Sequence, residues 1–245
     1  MRIPTIQGII DRRILINYTV DPAIIQNILP QPFRPKVYRG KAIVGVCLIR
    51  LKHIRPKGLP GFMGLSSENG AHRIAVEWTE KDETKQGVYI PRRDTSSMFN
   101  TLAGGRIFPG RHFHARFDVK EGDGNYQVAF KSSDGAFISI DAKKSGNFNP
   151  DSIFQNFENA SRFFEAGSVG YSPNSSKYEG LQLKTFKWKM EPLQVASVQS
   201  SFFEDETVFP PGSAQFDNAL LMTQIEHEWH SVSYQPFPPT LTPQK

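Results

Sequence analysis

The sequence predicts a mainly β protein that folds as one barrel-like domain with about three helices. Segments rich in β-branched and aromatic residues recur along the chain, and Gly-Asp-Gly and Asp-Gly turns separate several of them. Strands do not alternate regularly with helices, as they would in a parallel doubly wound sheet. The 245 residues are 38% hydrophobic and 12% aromatic, enough to fill one large core. We assign residues 1–245 to a single domain, with an extended tail from about residue 235.

The chain is predicted to begin with a strand followed by a short helix. Arg13–Val20 is rich in β-branched and aromatic residues, which favour strands. Asp21 before Pro22 is typical of a helix N-terminus. Pro30 ends this helix after Leu29.

Three strands and a second helix are predicted next. Ala42–Leu51 is almost continuously apolar, which indicates a strand buried on both faces. Ala71–Thr79 alternates between apolar and polar residues and is expected to pair with Gly87–Ile90 across a polar turn. Asp94 is predicted to cap a helix that ends near Ala103, before two glycines.

The second half predicts an antiparallel meander, one helix and further strands. Glycine-containing turns separate the meander strands, and phenylalanines at helical spacing indicate an amphipathic helix over Asp151–Ala166. The meander strands are Phe113–Lys120, Tyr126–Lys131 and Ala136–Ala142. The later strands are Val169–Tyr171, Tyr178–Trp188, Val195–Phe203 and Ala219–His230.

Positive charge is concentrated in the first half of the chain. Residues 1–116 contain 19 Lys and Arg against 8 Asp and Glu, a balance of +11, whereas residues 117–245 contain 10 against 16, a balance of −6. Thirteen of the 14 arginines precede residue 117. Arginine suits the recognition of planar anions, although solvated strands and loops also carry it. Because the sequence contains no compact basic block or nucleic-acid-binding motif, we expect no nucleic acid partner.

The sequence contains no predicted membrane or targeting segment. The longest apolar run, Ala42–Ile49, is much shorter than the ~20 residues of a spanning helix. Cys47 is the only cysteine, which excludes an intramolecular disulfide, and its apolar strand favours an inert core thiol over a nucleophile. We therefore expect a cytoplasmic protein with no membrane partner.

The densest polar cluster lies on the first meander strand. His112, His114 and Arg116 fall on one face of that strand, because side chains alternate between its faces. Three interpretations remain open: a solvated face, a metal site built on the His-x-His pair, or a barrel interior that receives an anion. Two imidazoles without a carboxylate partner make a weak site, so we expect neither a bound metal nor a cofactor.

Several segments resemble the YqjF-like family of uncharacterised proteins and, more distantly, the acetoacetate decarboxylase superfamily. The resemblance implies a closed or conical antiparallel β-barrel with a few outer helices and a ligand site in its interior. The segments that carry it are Arg13–Pro35, Gly64–Trp78, Gly87–Ser97, Ala103–Asp118 and Ala219–Ser231.

Against the decarboxylase pattern, the match of the site residues is partial. The resemblance places the two active-site lysine positions on Phe113 and His114, so the amine that forms the Schiff base is missing. The glutamate context resembles Glu68-Asn69-Gly70, and the Gly-Arg that begins the lysine segment is matched by Gly105-Arg106. The remaining arginine corresponds to Arg12 or Arg13.

The sequence therefore predicts a barrel with an interior pocket for a small anionic or carbonyl-bearing molecule. Glu68 and His114 are the candidate proton-transfer groups, and any catalysis is expected to be acid–base chemistry on a carbonyl acid, without an imine. A non-catalytic binding protein and a metal-dependent enzyme using His112 and His114 are the alternatives. A homo-oligomer is left open. The candidate ligand-binding residues are Arg106, Arg12, Arg13, His112 and Arg116.

Overall fold

The computed structural model describes residues 4–98, 110–174 and 177–232. Thirteen strands and two α-helices lie in these ranges, together with one turn of 3₁₀ helix at Gly61–Met63. The helices are α1, Pro22–Ile28, and α2, Phe157–Glu165. The strands are β1 Ile6–Val20, β2 Arg34–Pro35, β3 Val37–Tyr38, β4 Lys41–Pro56, β5 Leu65–Glu80, β6 Glu83–Thr95, β7 His112–Gly122, β8 Asn125–Ser132, β9 Phe137–Lys144, β10 Val169–Asn174, β11 Lys177–Thr185, β12 Glu191–Ser200 and β13 Gln215–Val232.

This architecture confirms the predicted mainly β fold and its central meander, β7–β8–β9. Helix α1 also forms as predicted: the Asp21 carboxylate accepts a hydrogen bond from the Ala23 amide at 2.8 Å, and Leu29 follows the last turn. An N-terminal carboxylate of this kind satisfies a backbone donor that has no partner within the helix.

The other two predicted helices differ from the structure. Helix α2 begins six residues later than expected, at Phe157, where Asn156 provides the N-cap. Residues 151–156 form turns instead, because the buried carboxylate of Asp217 accepts hydrogen bonds from Ser152 and Ile153. Asp94 caps no helix: it lies within β6 and accepts hydrogen bonds from a neighbouring side chain. Most of the helix predicted after it falls on residues 99–109, outside the described ranges.

The long strands close into two rings that share five strands. One ring has seven strands, in the order β13–β1–β4–β5–β6–β10–β11, and β11 pairs back to β13. The other runs β6–β7–β8–β9–β12–β13 and closes through the same β1, β4 and β5. Most pairs are antiparallel, whereas β6–β7 and β6–β10 are parallel. We call these the seven-strand ring and the nine-strand ring.

Apolar side chains of the shared strands fill two separate clusters. In β1, Leu15 packs into a cluster with α2, whereas Ile14 and Ile16 pack on the opposite side of the sheet. Strand β4 behaves in the same way, since Ile43 and Val44 belong to different clusters. The prediction that this strand is buried on both faces is confirmed.

Within the described ranges, no helix is long and apolar enough to span a membrane.

Candidate functional site

A cavity of about 130 Å³ lies inside the seven-strand ring. Every strand of that ring contributes to its wall, and the first residue of β7 completes it. Its apolar lining comes mainly from β4, β6, β11 and β13, and the polar lining includes three arginines. The polar and ionisable lining residues are Arg13, Cys47, Asn69, Arg73, Arg93, Asp94, His112 and Ser168.

Arg13 reaches the cavity from β1. Because side chains alternate along a strand, Arg13 and Arg12 point to opposite faces of the sheet. The Arg13 Nε donates to the Cys47 Sγ at 2.9 Å, and its Nη1 lies 3.9 Å from the Met222 Sδ. Both contacts are to sulfur, so neither brings the negative charge of a carboxylate to this guanidinium.

Arg73 enters the cavity from β5 and is only 4% exposed. One of its terminal nitrogens donates to the Asn17 Oδ1, and its guanidinium lies 4.9 Å from the ring centre of Phe164 on α2. Its Nε has no hydrogen-bond partner in the part of the chain that is described. Burial lowers the pKa of Arg73 to about 10, so the group stays protonated at neutral pH.

Arg93 is the third cationic group of the cavity. It comes from β6, and its Nε donates to the Ser172 Oγ on β10 at 3.2 Å. Burial lowers the pKa of Arg93 to about 10, which leaves it charged at neutral pH. The next residue, Asp94, also lines the cavity but is committed elsewhere, because it accepts hydrogen bonds from Arg92 and Ser132.

His112 lies beside Arg93 at the start of β7, where the two strands pair in parallel. Its Nδ1 lies 3.2 Å from the Gly110 carbonyl oxygen. Burial and the positive charge of Arg93 lower the pKa of His112 to about 4, so the imidazole is neutral at neutral pH. His72 and His227 are also neutral, since burial lowers their pKa values to about 3 and about 4.

Glu68 and Arg12 meet in a different place, an ion-pair cluster on the opposite side of the shared strands. Arg12 is 1% exposed and donates to Glu68 and to Glu121. Arg50 binds the same two carboxylates, and Asp11 pairs with Arg50 in turn. None of these residues lines the cavity. The arrangement fixes β1, β4, β5 and β7 relative to one another.

The remaining sequence candidates are dispersed. His114 and Arg116 are exposed on β7, as the alternation of that strand requires once Ala115 is buried. Arg106 lies outside the described residues. Of the predicted site residues that are described, the structure thus brings only Arg13 and His112 together in the cavity. The functional roles assigned to all of them stay predictions.

The described residues contain no group of three or more His, Cys, Asp or Glu side chains arranged to hold a metal ion. His112 and His114 are separated by their surroundings, because one lines the cavity and the other is exposed. The expectation that no transition metal binds stays a prediction, to be checked by elemental analysis of the purified protein.

Sequence reasoning missed Arg73, Arg93 and the position of Cys47. A signal for Arg73 was present, since it lies between Ala71 and Ala75 on one face of the alternating segment Ala71–Thr79. Its two-residue offset from Ala71 and Ala75 gives it the inward face of β5. No comparable signal existed for Arg93, because a β-bulge precedes it and changes which face each residue of β6 occupies.

Comparison with solved structures defines the class of this fold. The chain superposes on the acetoacetate decarboxylase of Legionella pneumophila subsp. pneumophila str. Philadelphia 1 with a TM-score of 0.62 and 11% identity, covering 93% of this chain and 87% of that one. An acetoacetate decarboxylase-like enzyme from Sphingomonas wittichii RW1 gives a TM-score of 0.56 at 10% identity, with 94% and 91% covered. The enduracididine biosynthesis enzyme MppR complexed with pyruvate gives 0.54 at 9%, with 92% and 87% covered. The protein therefore has an acetoacetate decarboxylase-like fold.

Residues 10–224 match the model of the DUF2071 family, described as "Uncharacterized conserved protein (COG2071)". The chain belongs to this family. No curated protein matches it. The resemblance to an uncharacterised family related in fold to acetoacetate decarboxylase is confirmed.

Proposed function

We propose that the cavity of the seven-strand ring binds a small carboxylate, including carbonyl-bearing carboxylates. The supporting observation is the uncompensated positive charge at its wall: Arg13, Arg73 and Arg93 all line it, and none forms an ion pair with a carboxylate among the described residues. A buried charge without an opposite charge is costly, and a bound anion removes that cost. The guanidinium fork also matches a carboxylate in shape.

The size and lining of the cavity narrow the class of ligand. A cavity needs a volume of at least about 10–15 Å³ to hold one water. The volume of about 130 Å³ therefore admits a small organic acid. Ile49, Ile90 and Leu183 supply apolar wall in the same cavity. A short acid with one carboxylate and a small apolar or carbonyl-bearing remainder satisfies both parts of the lining.

Thermal unfolding with pairs of ligands of similar size, one anionic and one neutral, tests this proposal. Acetate is compared with acetamide, and pyruvate with its neutral methyl ester, at constant ionic strength. At 100 times its dissociation constant a ligand stabilises the fold by about 2.7 kcal/mol. For a chain of this length that corresponds to a rise in Tm of about 5–11 °C. We expect the rise with the carboxylates and not with the neutral analogues.

Paired variants show where the carboxylate binds. Arg93→Met removes one cavity guanidinium at similar side-chain volume, and Arg39→Met removes an exposed arginine between β3 and β4 as the matched control. The carboxylate-dependent rise is expected to be lost in the first variant and kept in the second. Equal rises in both variants, or a rise with the neutral analogues too, would contradict the proposed site.

Catalysis beyond binding is a second candidate, favoured by the neutral imidazole of His112 beside Arg93. A neutral imidazole can accept a proton from carbon next to a carbonyl, and a nearby guanidinium stabilises the resulting enolate. Exchange of the pyruvate methyl protons for deuterium, followed by NMR, measures this step. Exchange that His112→Gln abolishes supports acid–base catalysis, whereas binding without exchange supports a non-catalytic binding protein.

A further inference from the structure

Cys47 lies among the three cavity arginines. Its Sγ accepts a hydrogen bond from the Arg13 Nε at 2.9 Å, and it interacts electrostatically with Arg73 and Arg93. The sulfur belongs to the cavity wall even though the residue is only 5% exposed. Cysteine sulfur is a nucleophile, and this contact holds it at the cavity wall. The residue also packs in an apolar cluster.

A second observation points to a ligand at the same place. Arg73 is 96% buried, since only 4% of its surface is exposed, and it lines the cavity. Its Nε has no hydrogen-bond partner among the described residues. Buried donors are nearly always satisfied. Arg73 also forms no ion pair among the described residues, so a carboxylate in the cavity supplies the negative charge that its guanidinium lacks.

We propose that Cys47 is the covalent site of the cavity, where its thiol adds to the electrophilic carbon of a small carboxylate held by Arg73 and Arg93. The ligand class is a 2-oxo acid, because its carbonyl carbon is directly bonded to the carboxylate carbon. An anchored carboxylate therefore brings the carbonyl close to the sulfur. This inference rests on the proposed function, since it requires carboxylate binding in the same cavity.

The addition needs no further reactant. The sulfur attacks the carbonyl carbon and forms a carbon–sulfur bond, while the electron pair of the carbon–oxygen π bond moves to oxygen. The proton that leaves the thiol ends on that oxygen, so the product is a thiohemiketal with a neutral hydroxyl group and an intact carboxylate. Nothing is oxidised or reduced, and the step reverses by the same route. Arg13, which donates to the sulfur, holds it at the cavity wall.

Charge-selective alkylation tests the site on the intact protein. Iodoacetate and iodoacetamide differ in charge but transfer groups of similar size, and glutathione serves as the free-thiol reference. Because the chain has one cysteine, intact mass reports its modification directly. We expect the iodoacetate-to-iodoacetamide rate ratio to exceed that of glutathione by at least about tenfold, equivalent to about 1.4 kcal/mol. Pyruvate is expected to slow the iodoacetate reaction.

Two variants are alkylated in the same way, so that the outcome does not depend on whether one of them folds. Arg73→Met and Arg93→Met should each bring the ratio back towards that of glutathione, and Arg39→Met, at an exposed position outside the cavity, should leave it unchanged. Each variant is first shown to unfold cooperatively. A wild-type ratio equal to that of glutathione, or a thiol that reacts only after denaturation, overturns the proposal.

Carbon-13 NMR of pyruvate labelled at C2 separates this inference from the proposed function. A new tetrahedral carbon signal with the wild-type protein, absent with Cys47→Ser, is the expected result. If pyruvate raises the Tm of both proteins equally and no such signal forms, carboxylate binding stands and the covalent step is wrong. If no carboxylate raises the Tm of the wild type, the proposed function itself is wrong.

Discussion

Two buried arginines with different surroundings allow the charge argument to be tested without a ligand. Arg12 is 1% exposed and Arg73 is 4% exposed, so burial is closely matched. Arg12 is bound by two carboxylates, whereas Arg73 has none among the described residues. Replacing each by methionine removes the same charge and keeps similar volume. The two variants should therefore have opposite effects on the free energy of unfolding.

For Arg73→Met, the expected change follows from two opposing contributions. Burial lowers the pKa of Arg73 to about 10 from an ordinary value above 12. One pKa unit corresponds to about 1.4 kcal/mol, so at neutral pH the charged form destabilises the fold by on the order of 3 kcal/mol. The substitution also leaves the Asn17 Oδ1 without its donor, a loss of about 1–3 kcal/mol. The variant should range from unchanged to about 2 kcal/mol more stable.

For Arg12→Met, we expect only a decrease in the free energy of unfolding. Removing one partner of a buried ion pair typically costs about 3–5 kcal/mol. Glu68 and Glu121 keep their contacts with Arg50, so neither carboxylate is left without a cation. The lower end of that range applies, about 3 kcal/mol. At this chain length the loss lowers Tm by about 6–12 °C.

Urea unfolding followed by tryptophan fluorescence measures both variants, since the chain contains three tryptophans. Arg116→Met, at an exposed position, is the control and should change stability by less than about 0.5 kcal/mol. A loss for Arg73→Met as large as that for Arg12→Met would refute the reasoning. It would mean that the Arg73 charge is already compensated in the ligand-free protein, and the main support for an anion site would disappear.

Three further predictions follow. Burial lowers the pKa values of His72, His112 and His227 to about 3 or 4. Between about pH 6.5 and 4 the unfolded chain therefore binds protons that the folded chain does not, and the free energy of unfolding should decrease as the pH falls, by up to about 1.4 kcal/mol per pH unit for each histidine. A free energy of unfolding from urea melts that stays constant across this window would contradict the prediction. Gly45→Ala should destabilise by about 1–3 kcal/mol, because its Cβ would lie 2.1 Å from the Ile16 carbonyl oxygen, whereas Gly146→Ala, with open space around it, should be near neutral by the same melts. Cyanoborohydride with pyruvate or acetoacetate should add no mass to the protein, because none of the described residues that line the main cavity is a lysine and an imine requires an amine. A reduced adduct mapped to Lys36, in the small adjoining cavity, would disprove this.

The sequence by itself determined the elements of this protein and much of their placement. Turn residues fixed the meander, because a glycine-containing turn between alternating strands permits few other connections. The apolar run of β4 predicts burial on both faces, whichever strands pair with it, and the structure buries both faces. The match of residues 10–224 to the DUF2071 family agrees with the resemblance seen in local motifs. These features depend on a few consecutive residues, so they can be predicted from the sequence without the tertiary structure.

The tertiary structure alone decided the candidate site. Arg13 and Arg12 are neighbours in the chain, yet one lies in the cavity and the other in the ion-pair cluster, because the strand places them on opposite faces. Arg93 lines the same cavity as Arg13 because of a β-bulge in β6 and the parallel pairing between β6 and β7. Cys47 packs in an apolar cluster and also borders the cavity, because the seven-strand ring closes around it. Closure of a ring is set by pairings between strands far apart in sequence, and no local pattern of residues specifies which side chains then face one another.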